Sequence, residues 1–474
     1  MRRLLTFSLA ACFAVVGTSG CGDFLSSDKV KADPNNPSSA TADQLFVAVQ
    51  AGQFAQQEGI VPLIGCMWIQ QCTGTSNFLV TLERYQITSE DTPSPAFSAV
   101  YEGGGLVDIR QVEAAAAAAG DRKYLGIAQV WEVLDMAVAA DVWGDVPYRE
   151  AASAVATPHL DPQAQVYSDL QTLLSEAITN LGGAGAGPGV LDLVYGGNPT
   201  KWIQAANTLK ARLYMHTAEQ PGAGNFDATA LNNAVTSALL GISAPANDFK
   251  TSHGSAPGQD NMWYQFKFRS GFGNYVVAGQ QLADLMVGRN DPRLPEYFGA
   301  ASPGPGFGGQ GPPPGNTQSP AGVSLLEGTR NKPDFAQPIV TFIENELILA
   351  EAYYRLGQTG NAQARFDAAR ASVPGLAPKA ITSVNDIMEE KYIALFQNIE
   401  VWNDYKRTCY PAITAVANAN FGNKVPGRLF YGTTEANANP NVPDRDVQLQ
   451  VGGNIVSTPP ANPGFRNPND PNAC

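Results

Sequence analysis

The chain has 474 residues, 44% of them hydrophobic, and a formal net charge of −13 from 43 acidic and 30 basic side chains. Such a length easily buries a core, and this composition excludes disorder as the default state. The acidic balance excludes a nucleic-acid partner, whose phosphates need a basic face, and suits uncharged partners better.

Residues 1–20 read as a targeting segment. Arg2 and Arg3 precede an apolar run, Leu4 to Val16, that is too short to span a bilayer. Small residues, Gly17-Thr18-Ser19-Gly20, then stand directly before Cys21, as in a bacterial lipobox, where the cysteine is acylated. Thr18 departs from that pattern, which prefers Leu. Leu9-Ala10-Ala11-Cys12 fits the box better but leaves a shorter apolar run, and an ordinary signal peptide cleaved nearby is the third reading. Cys21 is the expected lipid attachment point, with several acyl chains giving an anchor that one chain could not. Residues 21–40, including Asp33-Pro34-Asn35-Asn36-Pro37, form the anchor and tether, and residues 41–474 one domain.

Removing Cys12 with the signal and acylating Cys21 leaves Cys66, Cys72, Cys409 and Cys474, which allow three pairings. An exported chain meets an oxidising compartment, so disulfides are expected. Cys66 with Cys72 would close a small loop, and Cys409 with Cys474 would pin the tail. The three histidines, His159, His216 and His253, are scattered, so no metal site is expected.

The domain reads as mainly α. Thr41 to Phe54 is a first amphipathic helix, and Pro95 to Ala118 pairs with Arg122 to Ala140, where Leu125, Val130, Leu134 and Val138 recur near helical spacing. Gly144 and Pro147 end that run within Asp141-Val142-Trp143-Gly144-Asp145-Val146-Pro147-Tyr148. Helices follow over Gln165 to Leu181 and over Thr200 to Ala218, the latter with Trp202, Ala206, Leu209 and Leu213 on one face. In a later hairpin, Ile343, Leu347, Ala350 and Tyr354 face Ala362, Phe366 and Ala369, with Pro374 beyond. That spacing resembles the second half of a tetratricopeptide repeat. Over Ile387 to Arg407, Met388, Tyr392, Leu395, Ile399 and Trp402 form one apolar stripe, flanked by Glu389, Glu390, Lys391, Asp404, Lys406 and Arg407.

Several of these stretches together resemble the SusD/RagB family of surface lipoproteins. They are the start at Cys21-Gly22-Asp23-Phe24-Leu25, the tether, Trp143 to Tyr148, Lys201-Trp202, Asp291-Pro292-Arg293-Leu294, the Glu389 to Phe396 helix, and Pro426-Gly427-Arg428-Leu429-Phe430-Tyr431. The resemblance implies a tetratricopeptide-like helical-repeat scaffold with irregular loop insertions. It also implies an outer-membrane location and a role as the lid of a SusC-like TonB-dependent transporter. Such a lid binds an oligosaccharide or peptide ligand without bond-making and without a cofactor. The rival reading is an anchored hydrolase acting on a polysaccharide. No Gly-x-Ser-x-Gly, Walker or His-Glu-x2-His motif supports it. Gly304, Gly306 and Gly309 spell Gly-x-Gly-x2-Gly inside a Gly/Pro-rich run, with neither the strand nor the helix that a dinucleotide fold requires. The run from Ala301 to Gly322 is instead a candidate moving or transporter-facing loop.

Binding an uncharged oligomer takes a flat aromatic face and polar groups that fix orientation. Two stretches offer both. The first holds Trp68, Gln71 and Phe78 beside the Cys66–Cys72 loop. The second, Asn261 to Arg269, alternates Trp263, Gln265, Lys267 and Arg269 with Tyr264, Phe266 and Phe268, the pattern of a short strand with one buried face. Trp68, Gln71, Phe78, Trp263, Tyr264 and Arg269 are the candidate ligand contacts.

Overall fold

The computed structural model describes residues 40–85, 93–219, 226–271, 274–302, 304, 306–311, 321–413, 425–443, 450–451 and 454–455. Cys21, the tether, Cys474 and much of the Ala301 to Gly322 run (residues 303, 305 and 312–320) lie outside them.

The first helix, Ala42–Glu58, starts at a capping box in which the Thr41 side chain and Gln44 satisfy each other's backbone N–H groups. It packs on Leu106–Ala118, which packs on Arg122–Trp143. Every residue of that second partner from Gly126 to Trp143 is buried. A helix buried all round can only be central, and the rest of the fold is wrapped about it. Gly126 permits the closest approach: a Cβ there would lie 2.8 Å from the Ala177 carbonyl oxygen on Gln163–Leu181.

From this centre the helices pack in chain order. Gln163–Leu181 meets Pro199–Thr217, then Ala228–Ala238, then Phe342–Arg355, then Thr359–Ala371. Contacts made chiefly between sequence neighbours mark a helical-repeat scaffold. In the last pair, Leu347, Ala350, Phe366 and Ala369 are fully buried together with Ile387 of Val384–Ala394. Small alanines let the helices approach, and Phe366 fills the space between them.

Residues 239–341 interrupt this order as one long insertion. Its neck is closed where Phe249–Lys250 pairs antiparallel with Pro338–Val340. Its middle is tied back to the start of the domain, because Val276–Ala278 pairs antiparallel with Cys72–Gly74. Cys66 and Cys72 are joined by a disulfide with Cα atoms 5.4 Å apart, which holds that strand against the end of helix Ile60–Trp68. Cys409 is disulfide-bonded as well.

Three elements differ from expectation. A single helix from Pro95 to Ala118 is instead two, Pro93–Tyr101 and Leu106–Ala118. Gly103 and Gly104 between them have φ of 61° and 99°, and a Cβ on Gly104 would come within 2.7 Å of the Ala48 carbonyl oxygen. Glycine alone tolerates both demands. Ile387 to Arg407 is likewise two helices, Val384–Ala394 and Glu400–Thr408, broken at Gln397 with φ 65°. The insertion satisfies the carbonyls freed there. Arg330 Nη1 donates to Phe396 O at 3.1 Å and Gln337 Nε2 to Gln397 O at 3.4 Å. Third, Asn261 to Arg269 is a helix, Met262–Phe268, and not a strand. Asn261 caps it by accepting from Trp263 N at 2.9 Å and Tyr264 N at 3.4 Å, which commits the next turn to helix despite the β-favouring aromatics.

Candidate functional site

Two kinds of place compete to be the site: a buried charged junction that carries the distinctive motifs, and a surface cleft beside the insertion. In the junction, Trp143 Nε1 donates to Phe430 O at 2.9 Å and Tyr431 Oη to Asp145 O at 2.6 Å. Trp402 Nε1 donates to Pro426 O at 3.1 Å and Lys406 Nζ to Asp141 O at 2.6 Å. Stretches far apart in the chain are thus clasped into one joint. Its charges are matched in small clusters: Arg407 with Glu351 at 2.5 Å, Lys391 with Asp404 at 2.7 Å, and Arg289 and Arg293 with Glu390 at 2.7 and 2.6 Å. All of these residues except Arg289 are buried. Burial alone would raise the Glu351 carboxyl, but Arg407 and Arg355 hold it well below the usual carboxylate range.

Asp141, His216 and Glu400 meet in this joint with potential ligand atoms within 4.8 Å of one another. His216 Nε2 is 2.7 Å from Glu400 and Nδ1 is 3.4 Å from Asp141. Burial works against its charge, yet the two carboxylates carry its pKa up to about 9. Arg212 Nε lies 3.8 Å from Glu400 and Asn403 Nδ2 donates to Asp141 Oδ2 at 2.8 Å, so the cluster is neutralised from within the protein. The junction is structural.

The cleft is different. It encloses about 560 Å³ between the first helix, the 252–260 loop and the start of Met262–Phe268. Val47, Phe54 and Leu193 give it apolar walls, while His253, Gln259 and Gln265 offer polar groups. Successive helical residues turn by about 100°. Met262 and Gln265 therefore line the cleft, while Tyr264 and Phe268 stand one turn apart on the adjoining face. Their rings lie 4.6 Å apart at 44°, and Phe268 is 54% exposed. Arg269 sits 6.0 Å from the Tyr264 ring centre and donates from Nε to Asp260 Oδ2 at 2.8 Å. An aromatic pair, a fixed guanidinium and an apolar-walled cleft are what an uncharged oligomer needs for stacking and orientation.

The six candidate contacts are not brought together. Tyr264 is half-buried and Arg269 exposed, both on the aromatic helix. Trp263, on the same helix, is only 9% exposed and points inward. Phe78 is exposed on another helix, Phe78–Glu83. Trp68 and Gln71 are corrected to interior positions. The Trp68 ring packs edge-on against Trp402 at 5.0 Å and its Nε1 donates to Leu82 O at 2.9 Å, while Gln71 Nε2 donates to Tyr392 O at 2.5 Å. Helix Ile60–Trp68 is buried from Val61 onward, so its last residues cannot face solvent. Strand alternation leaves open which face carries Phe268; in the helix it is exposed, one turn from Tyr264. Glu58 and His253, which hold the cleft walls, carry no local signal, because their relation is purely tertiary.

Among the described residues no helix is long and apolar enough to cross a membrane. Solved structures share this fold at low sequence identity. A SusD homolog from Bacteroides fragilis is 16% identical with a TM-score of 0.70, over 90% of this chain and all (100%) of that one. A chitin-binding SusD homolog from Flavobacterium johnsoniae is 18% identical with a TM-score of 0.68, over 87% and 96%. A SusD/RagB family protein from Bacteroides thetaiotaomicron is 20% identical with a TM-score of 0.67, over 85% and 95%. No curated protein matches the chain. Residues 34–432 match the SusD-like family model described as starch-binding and associating with the outer membrane, and a match over that much of the chain makes it a member of the SusD-like family.

Proposed function

We propose that this chain is a surface-exposed lipoprotein of the outer membrane, anchored at Cys21, that captures an oligosaccharide in the cleft beside Met262–Phe268. It hands the ligand to a partner SusC-like TonB-dependent transporter and forms or breaks no bond itself. The observation that carries this reading is the Tyr264–Phe268 pair, half-buried and exposed respectively, on the helix whose Met262 and Gln265 line an apolar-walled cleft, with Arg269 held beside it. Sugar rings stack on such faces through their C–H edges, and the guanidinium fixes hydroxyl orientation. The cleft carboxylates are already engaged, Glu58 with His253 and the Met262 N–H, Asp260 with Arg269. That arrangement favours holding a ligand over cleaving one. The outer-membrane association in the family's description and the Arg2 to Cys21 segment support the location.

The test is binding of the mature chain to an array of oligosaccharides and peptides. An oligosaccharide hit that weakens in Tyr264→Ala and Phe268→Ala is the expected result. A hit indifferent to both substitutions moves the site elsewhere, and release of shortened product overturns the non-catalytic reading. Copurification with a TonB-dependent barrel tests the delivery step.

A further inference from the structure

His253 stands at the cleft with an acceptor on each ring nitrogen. Nε2 is 2.7 Å from Glu58 Oε1, and Nδ1 is 3.2 Å from the Gln259 carbonyl oxygen. Only the imidazolium donates from both nitrogens; a neutral ring must give up one of these bonds. Glu58 is the last residue of the first helix, and its side chain is completely buried. A carboxylate there meets the negative end of the helix dipole and has lost its water. It therefore needs a cation. Its other oxygen, Oε2, accepts the Met262 N–H at 3.0 Å, the first N–H of the aromatic helix. One carboxylate thus ties together the first helix, the 252–260 loop and the helix bearing Tyr264 and Phe268. The loop is itself closed by Gly254 N donating to Gln259 O at 3.0 Å.

From these contacts we propose that Glu58 and protonated His253 form a proton-dependent latch that fixes the aromatic helix at the cleft and so governs ligand capture. The effect on capture rests on the proposed binding function; the latch itself does not. The groups facing His253 are few. Glu58 comes from the first helix, and Asp260 from its own loop, with Arg269 of the aromatic helix paired to Asp260. The Phe54 ring is 5.9 Å away and uncharged. Burial disfavours the imidazolium, but Glu58, the Gln259 carbonyl and Asp260 outweigh it and raise the His253 pKa above its ordinary value of 6.5. A raised histidine stabilises the closed form below that ordinary value and releases it as pH climbs through the raised one. The latch is therefore shut below the ordinary value and opens only at a pH above it.

The test needs no known ligand. With 15N-labelled histidine only three rings are visible, and His253→Gln assigns the one of interest. Hydrogen exchange of peptides covering residues 252–268, corrected for intrinsic chemistry, is followed from about pH 6 to about 9.5, a span bracketing imidazole titration. Protection is expected to fall about fivefold, the value of one charge-assisted bond in a partly wet site, in step with the His253 signal. His253→Gln should be poorly protected throughout and show no step. Glu58→Gln should bring the His253 titration back towards the ordinary value. A wild-type profile without a step, or a step that persists in His253→Gln, overturns the latch. Maltohexaose and chitohexaose are then titrated over the same range. Affinity that falls with protection supports the control of capture, and affinity that stays flat through the step overturns it. A clear step with neither sugar bound at any pH leaves the latch standing and counts against the capture reading instead.

Discussion

The junction and the insertion solve opposite problems with similar materials. Around Glu351, Glu390 and Arg407, opposite charges are fully buried and paired several at a time, so each depends on its neighbours and none is available to a ligand. Around Met262–Phe268 the charges are fewer, and the large side chains stand partly in solvent. The first arrangement fixes one joint of the scaffold. The second leaves a surface whose chemistry can change without disturbing the core. Distinctive motifs therefore mark the joint, and ligand contacts must be sought where motifs are absent.

The comparison can be broken by substitutions on either side. Glu351→Ala removes the buried carboxylate shared by Arg407 and Arg355, leaving Arg407 with Asp404, and is expected to cost about 3 kcal/mol, the low end of the range for removing one partner of a buried pair. A shift in the urea midpoint measures it, and a shift below about 1 kcal/mol would mean water reaches the joint. Trp68→Ala empties a packed site between Tyr85 and Trp402. Its expected cost is about 3–5 kcal/mol, with affinity per folded molecule unchanged. Lost binding at full stability would instead return Trp68 to the ligand surface.

Acid sharpens the contrast. Glu351, Glu390 and Glu400 all have folded pKa values below the ordinary 4.5, because surrounding Arg, Lys and His charges overcome burial. A lowered carboxylate contributes stability above its unfolded pKa and loses it as pH falls towards the folded one. The thermal midpoint should therefore hold down to about pH 5 and then drop, each such group contributing about 1.4 kcal/mol per pH unit in that window. Hydrogen exchange should place the first losses in the 384–408 helices. The smallest stability effects belong to the cleft. Phe268→Ala and Tyr264→Ala should change stability by about 0.5 kcal/mol or less. Each should weaken oligosaccharide binding about five- to tenfold, the worth of one aromatic contact. Calorimetry on the folded variants separates the two.

What could be read in advance follows from the range of the interactions. The helical-repeat class was legible because apolar spacing is local: Leu347, Ala350, Phe366 and Ala369 stand within one hairpin and fall together in the core. The end of the central helix was legible because Gly144, with φ 87°, stops it by its own backbone freedom. The double break at Gly103–Gly104 was open to reading in the same way, from consecutive glycines. Gln397 was not, since its turn is held by Arg330 and Gln337, residues of the insertion.

For the site the division is sharper. Composition alone pointed to the Asn261 to Arg269 stretch, and Tyr264 and Arg269 stand at the surface there. Strand or helix was decided by the Asn261 cap and by Glu58 holding the first N–H, the latter contact spanning some 200 positions of chain. Trp68 is apolar enough for a ligand platform or for the core, and its packing against Trp402 decided for the core. Sequence determined the strongly periodic helices such as Gln163–Leu181 and Phe342–Arg355, where glycine ends the central one, and which family the chain belongs to, because those properties are written in neighbouring residues. Only the tertiary structure decided which aromatic side chains meet solvent and which carboxylate meets which histidine, because burial and pairing are set by elements far apart in the chain.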